Sequence, residues 1–227
     1  MRRKFSLAFA ASTLGACFCV TAVSSHPHVR IKYEIVLEVR AGALVAIHER
    51  WMFDQAFLQS NLDEFDKNKN GVLDPDEVEA FRTVSVATMK RFGNFTSVWQ
   101  GPRLSKTGDA AFTVFNMTPP EPTVEFRTAL DKPLALTKPV HVDVYDPTYY
   151  SAFALASEQA VRVDSDKGTS CAVRIEVPAA QSRQLIDYRA FVAEFGPLAA
   201  RLVKPQTITL TCLPTPDTTV AVVKKKP

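Results

Sequence analysis

Twelve consecutive residues carry the clearest chemistry in this sequence: Asp66-Lys67-Asn68-Lys69-Asn70-Gly71-Val72-Leu73-Asp74-Pro75-Asp76-Glu77. They satisfy the pattern D-x-[DN]-x-[DN]-G-x5-E of an EF-hand calcium loop at every specified position. Calcium is a hard cation that takes oxygen ligands. Asp66, Asn68 and Asn70 offer side-chain oxygens at the first, third and fifth loop positions. Gly71 permits the sharp turn, and Val72 offers its carbonyl. Asp74 acts directly or through water, and Glu77 closes the site with both carboxylate oxygens from the first turn of the next helix. Leu73 is the apolar anchor of the loop. Only Asp66 and Glu77 are certain charged ligands, and Lys67 and Lys69 add positive potential. No partner hand is evident, because Asp164-Ser165-Asp166-Lys167-Gly168 lacks the register and the closing acid. The expectation is weak calcium binding, with a dissociation constant of about 10⁻⁴ to 10⁻³ M, that holds two helices together rather than signalling. A loop that keeps its turn but holds no ion well is the alternative.

A second constellation depends on processing. Residues 1–25 have the form of a secretory signal peptide: Arg2, Arg3 and Lys4 precede an apolar, Ala-rich stretch from Phe5 to Val23, and small residues lead to Ser25. The stretch is too short and too rich in small residues to favour a membrane span. Leu14-Gly15-Ala16-Cys17 loosely resembles a lipobox, so lipid attachment at Cys17 is the weaker alternative; the mainly apolar sequence after it is unlike a polar tether. Cleavage after Ser25 would expose His26-Pro27-His28. A free α-amine and the His26 imidazole can chelate zinc, nickel or copper, with His28 as a further donor. The competing interpretation is two solvated histidines at a chain end. Convergence with His48, His141, Asp54 or Asp146 would strengthen the metal site.

Cys17 and Cys19 leave with the signal, so Cys171 and Cys212 remain as an even pair. In an oxidising compartment a disulfide is the default, and closing a loop of about 40 residues contributes about 4 kcal/mol in the chain-entropy model. Two separate buried thiols are the alternative. Metal binding by this pair is disfavoured, since neither cysteine sits in a CxxC spacing or near a histidine.

Composition excludes several classes. The 27 basic residues exceed the 24 acidic ones by three, the number carried by the signal. Basic residues are scattered among acids rather than gathered into a nucleic-acid stripe. No G-x-S-x-G, HExxH or phosphate loop is present, so the chain reads as a non-enzyme.

These residues need elements to position them. From Val29 to Arg40 apolar and polar residues alternate, which predicts a half-buried strand. Ala41-Gly42 predicts a turn and Leu44–Trp51 the returning strand. Further strands are expected at Phe95–Trp99, Ala110–Asn116, Val124–Leu130, Val140–Tyr145, Ala172–Val177 and Thr207–Leu213, with Pro119-Pro120, Pro133 and Pro139 in links between them. Helices are expected at Gln55–Phe65 and Pro75–Phe92, flanking the loop. A third, amphipathic, helix is expected at about Gln181–Leu202. The fold expected is α+β: a mainly antiparallel β-sandwich with an inserted helix-loop-helix EF-hand at about 54–92 and an amphipathic helix in the C-terminal region. The single β-rich domain would span 26–213, followed by a flexible basic tail, 214–227.

An ordered set of motifs resembles one bacterial family. His26-Pro27-His28-Val29 after a signal is similar to the opening of the domain of unknown function 1007 family. Trp51-Met52-Phe53-Asp54, followed by an acidic Asp-Asn-Gly loop, resembles its next block. Asp143-Val144-Tyr145-Asp146-Pro147-Thr148-Tyr149-Tyr150 resembles a third, and Cys171 falls where the family tends to have a cysteine. The long third helix and the Lys-rich end match no family motif. The resemblance implies a periplasmic component of an ABC-type transport system, sometimes found beside nickel/cobalt-type permeases. The combined expectation is an exported, periplasmic or secreted, calcium-binding accessory or binding component of a metal transport system, with a membrane permease as partner. A calcium-dependent protein-interaction module and a copper enzyme using His26 are the rival classes.

Overall fold

The alternation at the start of the chain becomes the first strand, β1 (Val29–Arg40), with Ile31, Tyr33, Ile35, Leu37 and Val39 buried. The two-residue turn Ala41-Gly42 has positive φ at both positions (49° and 71°), the geometry that joins right-twisted strands. Glycine at position 42 adopts it without a Cβ penalty. Strand β2 (Ala43–Phe53) returns antiparallel to β1. The computed structural model describes residues 29–148, 150–176 and 206–214. The signal, His26 and His28, the third helix and the tail after Pro214 lie outside the described residues.

Two helices follow β2. Helix α1 (Gln55–Phe65) is capped by Asp54, whose Oδ1 accepts from Phe57 N at 2.8 Å. Helix α2 (Pro75–Arg91) begins with Pro75 in the first turn, where a missing N–H costs nothing. Both helices have the extents expected from sequence to within one residue. The remaining strands are β3 (Thr96–Gln100), β4 (Arg103–Ser105), β5 (Thr107–Asn116), β6 (Thr123–Ala135), β7 (Val140–Val144), β8 (Ser151–Leu155), β9 (Val161–Ser165), β10 (Thr169–Glu176) and β11 (Thr207–Pro214).

Among the described residues the strands form two sheets. The first runs β5-β6-β2-β1-β8, with β9 also on β1; the second runs β10-β11-β7-β3-β4. Pairing is antiparallel except that β8 and β9 both lie parallel to β1. Side chains of both sheets enter one buried cluster: Tyr33, Trp51 and Phe126 from the first, Val98, Val142, Ile208 and Leu210 from the second. Phe81 and Met89 of α2 and Leu73 of the preceding loop join it. The chain is thus β-rich α+β, as expected. Three short strands, β4, β8 and β9, were not expected. Strand β6 also continues through Pro133, which was expected in a link. Its pairing with β2 shifts register between Ala46↔Ala129 and Leu44↔Leu134, so Pro133 falls inside a bulge that requires no ladder N–H from it.

Cys171 and Cys212 are directly opposed on β10 and β11 and form a disulfide, with Cα atoms 4.0 Å apart.

Candidate functional site

The loop between the two helices is wound around its own acidic and amide side chains. Asp66 Oδ2 accepts from Gly71 N at 2.8 Å and its Oδ1 from Asn70 N at 3.2 Å. Gly71 has φ 84°, a conformation that a side chain would strain. Asn68 Oδ1 also accepts from Asn70 N (3.0 Å), and Asn70 Oδ1 accepts from Val72 N (2.9 Å). Both asparagine amides donate to Asp74 Oδ2, at 2.7 and 3.1 Å.

Glu77 closes the loop from the third residue of α2. Its Oε1 accepts from Lys67 N at 2.7 Å and its Oε2 from Asp74 N at 3.0 Å. One carboxylate therefore ties the first turn of the loop to its last residue. Leu73 is 7 % exposed and packs into the core, which fixes the loop against the body of the protein. Val72, by contrast, is exposed. The five side chains Asp66, Asn68, Asn70, Asp74 and Glu77 are thus gathered by local hydrogen bonds. They are oxygen donors of the type that hard cations take. Among the described residues no three of His, Cys, Asp and Glu are arranged to hold a metal ion by themselves.

The histidines and acids considered as extra donors to an N-terminal site are placed apart. His48 Nε2 lies 2.9 Å from Glu38 Oε2, and His141 Nδ1 lies 3.0 Å from Thr209 Oγ1. Asp54 caps α1. Asp146 organises the turn after β7: its Oδ1 accepts from Thr148 N and Oγ1, and its Oδ2 from Ser151 N at 2.9 Å.

Two features escaped the sequence. The first is Glu49, 2 % exposed on β2. Its Oε2 accepts from Trp51 Nε1 at 2.9 Å and its Oε1 from Thr96 Oγ1 at 2.6 Å. Burial pushes its pKa up to about 7, against the lowering effect of those two bonds. Nearby, burial raises the Tyr33 hydroxyl pKa, and the charges of Glu49 and Asp143 raise it further. The sequence signal was the spacing Ile47-x-Glu49-x-Trp51, which sets an acid in phase with the apolar face of a strand.

The second is a cavity of about 370 Å³ between the C-terminal half of α2 and the first sheet. Its walls include Trp51, Phe53, Phe57, Phe81, Phe92 and Phe95, together with Asp146 and Thr148. The helical spacing of Phe81, Val84, Ser85, Thr88 and Met89 marks one wall, but the other walls come from elements distant in sequence.

Among the described residues no helix is long and apolar enough to cross a membrane. The disulfide is consistent with an exported protein. No curated protein and no solved structure matches the chain. One family model does, over residues 11–212, and the chain belongs to that family, described as Protein of unknown function (DUF1007).

Proposed function

We propose that this is an exported calcium-binding protein in which Asp66–Glu77 acts as a single structural EF-hand. In that arrangement the two sheets form a β-sandwich, and the helix-loop-helix between β2 and β3 is its insertion. The observation that carries the reading is the Glu77 carboxylate, bonded at once to Lys67 N and Asp74 N, with Asp66, Asn68, Asn70 and Asp74 gathered beside it. Asp66, Asn68, Asn70, Asp74, Glu77 and the Val72 carbonyl would hold the ion, which supplies only charge and coordination. The chain's own residues do the rest. Leu73 fixes the loop to the core, and Glu77 ties the start of α2 to the end of α1. Binding therefore fixes the two helices to each other, and the few charged ligands keep it weak.

Calorimetry on the processed protein tests this. Calcium binding at about 10⁻⁴ to 10⁻³ M, lost in Glu77→Gln, is the expected result. A nanomolar constant would overturn the structural reading, and no binding at millimolar calcium would overturn the site itself.

The wider role proposed is that of an accessory or binding component of a metal transport system, working beside a membrane permease. It draws on the family resemblance and on the amine-and-imidazole chelate that cleavage before His26 would create, with His28 as a further donor for zinc, nickel or copper. Metal analysis of the processed protein, with and without one residue added before His26, tests this. Metal retained after the addition would sink the chelate.

A further inference from the structure

We propose that the cavity beneath α2 is a binding site for a small organic cation, an ammonium compound with apolar substituents. The cavity holds about 370 Å³, within the range of small-molecule sites. Two properties of its wall select the ligand class.

The first is its aromatic content. Trp51, Phe53, Phe57, Phe81, Phe92 and Phe95 come together from one strand, two helices and the connecting turn after α2. Phe53 stacks on Phe57 with centroids 4.3 Å apart, and Trp51 meets Phe95 at 6.0 Å. Aromatic faces attract cations through the ring quadrupole, and desolvation strengthens the attraction. The Arg91 guanidinium already lies 5.4 Å from the Phe92 ring centre, so cations sit on rings in this part of the molecule.

The second property is charge. Asp146 is the one charged residue lining the cavity among the described residues, and no Lys, Arg or His lines it there. Asp146 is 4 % exposed and accepts three hydrogen bonds, from Thr148 N, Thr148 Oγ1 and Ser151 N. A carboxylate has about four lone-pair sites, so among the described residues one acceptor position remains. An anion would be repelled by this wall, and an uncharged apolar molecule would leave the remaining acceptor position unused. A cation with apolar substituents satisfies both the rings and the acid. None of the residues lining the cavity is among the proposed calcium ligands.

The test compares benzyltrimethylammonium with its uncharged isostere neopentylbenzene. Binding is read by calorimetry and by tryptophan fluorescence, to which only Trp51 and Trp99 contribute. The cation should bind at least about tenfold more tightly than the isostere. Asp146→Asn should shrink that ratio. Asp146 also organises its turn, so Val84→Trp provides a second variant; Val84 is 54 % exposed at the cavity wall, and the larger ring there should abolish cation binding while the fold is kept. Equal or tighter binding of neopentylbenzene would overturn the proposal. So would no binding of the cation at about 10 mM, or cation binding unaffected by Val84→Trp.

Discussion

Thr96 on β3 donates a 2.6 Å hydrogen bond to Glu49 on β2, although the two strands belong to different sheets. The bond crosses the core at the level of Trp51, which donates to the other Glu49 oxygen. The acid therefore ties the first sheet to the second beside the aromatic cluster. No basic side chain is among the groups that set its protonation.

Glu49 should make the fold less stable as pH rises. Its folded pKa of about 7 exceeds the ordinary 4.5. Between those values the native state holds more protons than the unfolded chain. The stabilisation is complete below about pH 4.5 and gone above about pH 7. The loss is of the order of 3 kcal/mol. Urea midpoints at pH 5 and pH 8 check it: Glu49→Gln should flatten the difference, and an equally steep difference in the variant would refute the assignment.

Glu38 should act with the opposite sign. The hydrogen bond from Arg127 and then that of His48 hold its carboxyl below the usual range. Its contribution is present above about pH 4.5 and is lost as pH falls through the lowered value. The network lies on the outer side of the first sheet, so its contribution should be about 1 kcal/mol or less and should shrink in high salt. Thermal melts of Glu38→Gln against pH and salt measure this.

Adding charge to the loop should tighten it. Asn70 Nδ2 donates to Asp74 Oδ2, and both are loop side chains proposed to face the ion. Asn70→Asp removes that bond and adds a charged ligand. Calcium affinity should rise by about tenfold, and stability without calcium should fall through like-charge repulsion. Calorimetry and calcium-dependent melting follow the two effects separately. An unchanged affinity would count against Asn70 as a ligand.

Removing the disulfide should be costly. It closes a separation of 41 residues between directly opposed strand positions. A Cys171→Ala, Cys212→Ala double variant should lose about 2–4 kcal/mol, measured by denaturant unfolding under oxidising conditions.

What the sequence revealed depended on how local the signal was. The run Val29–Arg40 declared a strand because its inward residues repeat every second position. Residues 55–91 declared two helices and a turn because the twelve-residue loop pattern, with Gly71 at its bend, sits between them. Strands β8 and β9 are five residues each and earn their place by pairing with β1, more than a hundred residues earlier, which no local pattern records. Pro133 misled for the reverse reason: proline normally argues against a paired strand, but here it falls in a bulge. The loop residues were legible because all lie within twelve positions. The Glu49–Thr96 bond and the aromatic cavity were not, because tertiary packing alone brings their parts together.

The parallel pairing of β1 with β8 and β9 has a consequence for the order of synthesis. Strand β1 is the first element of the described chain to be made, and β2 can pair with one of its edges at once. Its other edge waits until residues 151–165 exist. Until then a long, apolar-faced hairpin presents an open row of backbone donors and acceptors, the kind of edge that recruits other chains. The strand made first is among the last to be completed, so the nascent chain has its greatest exposure to mispairing over the whole stretch from Phe53 to Ser151.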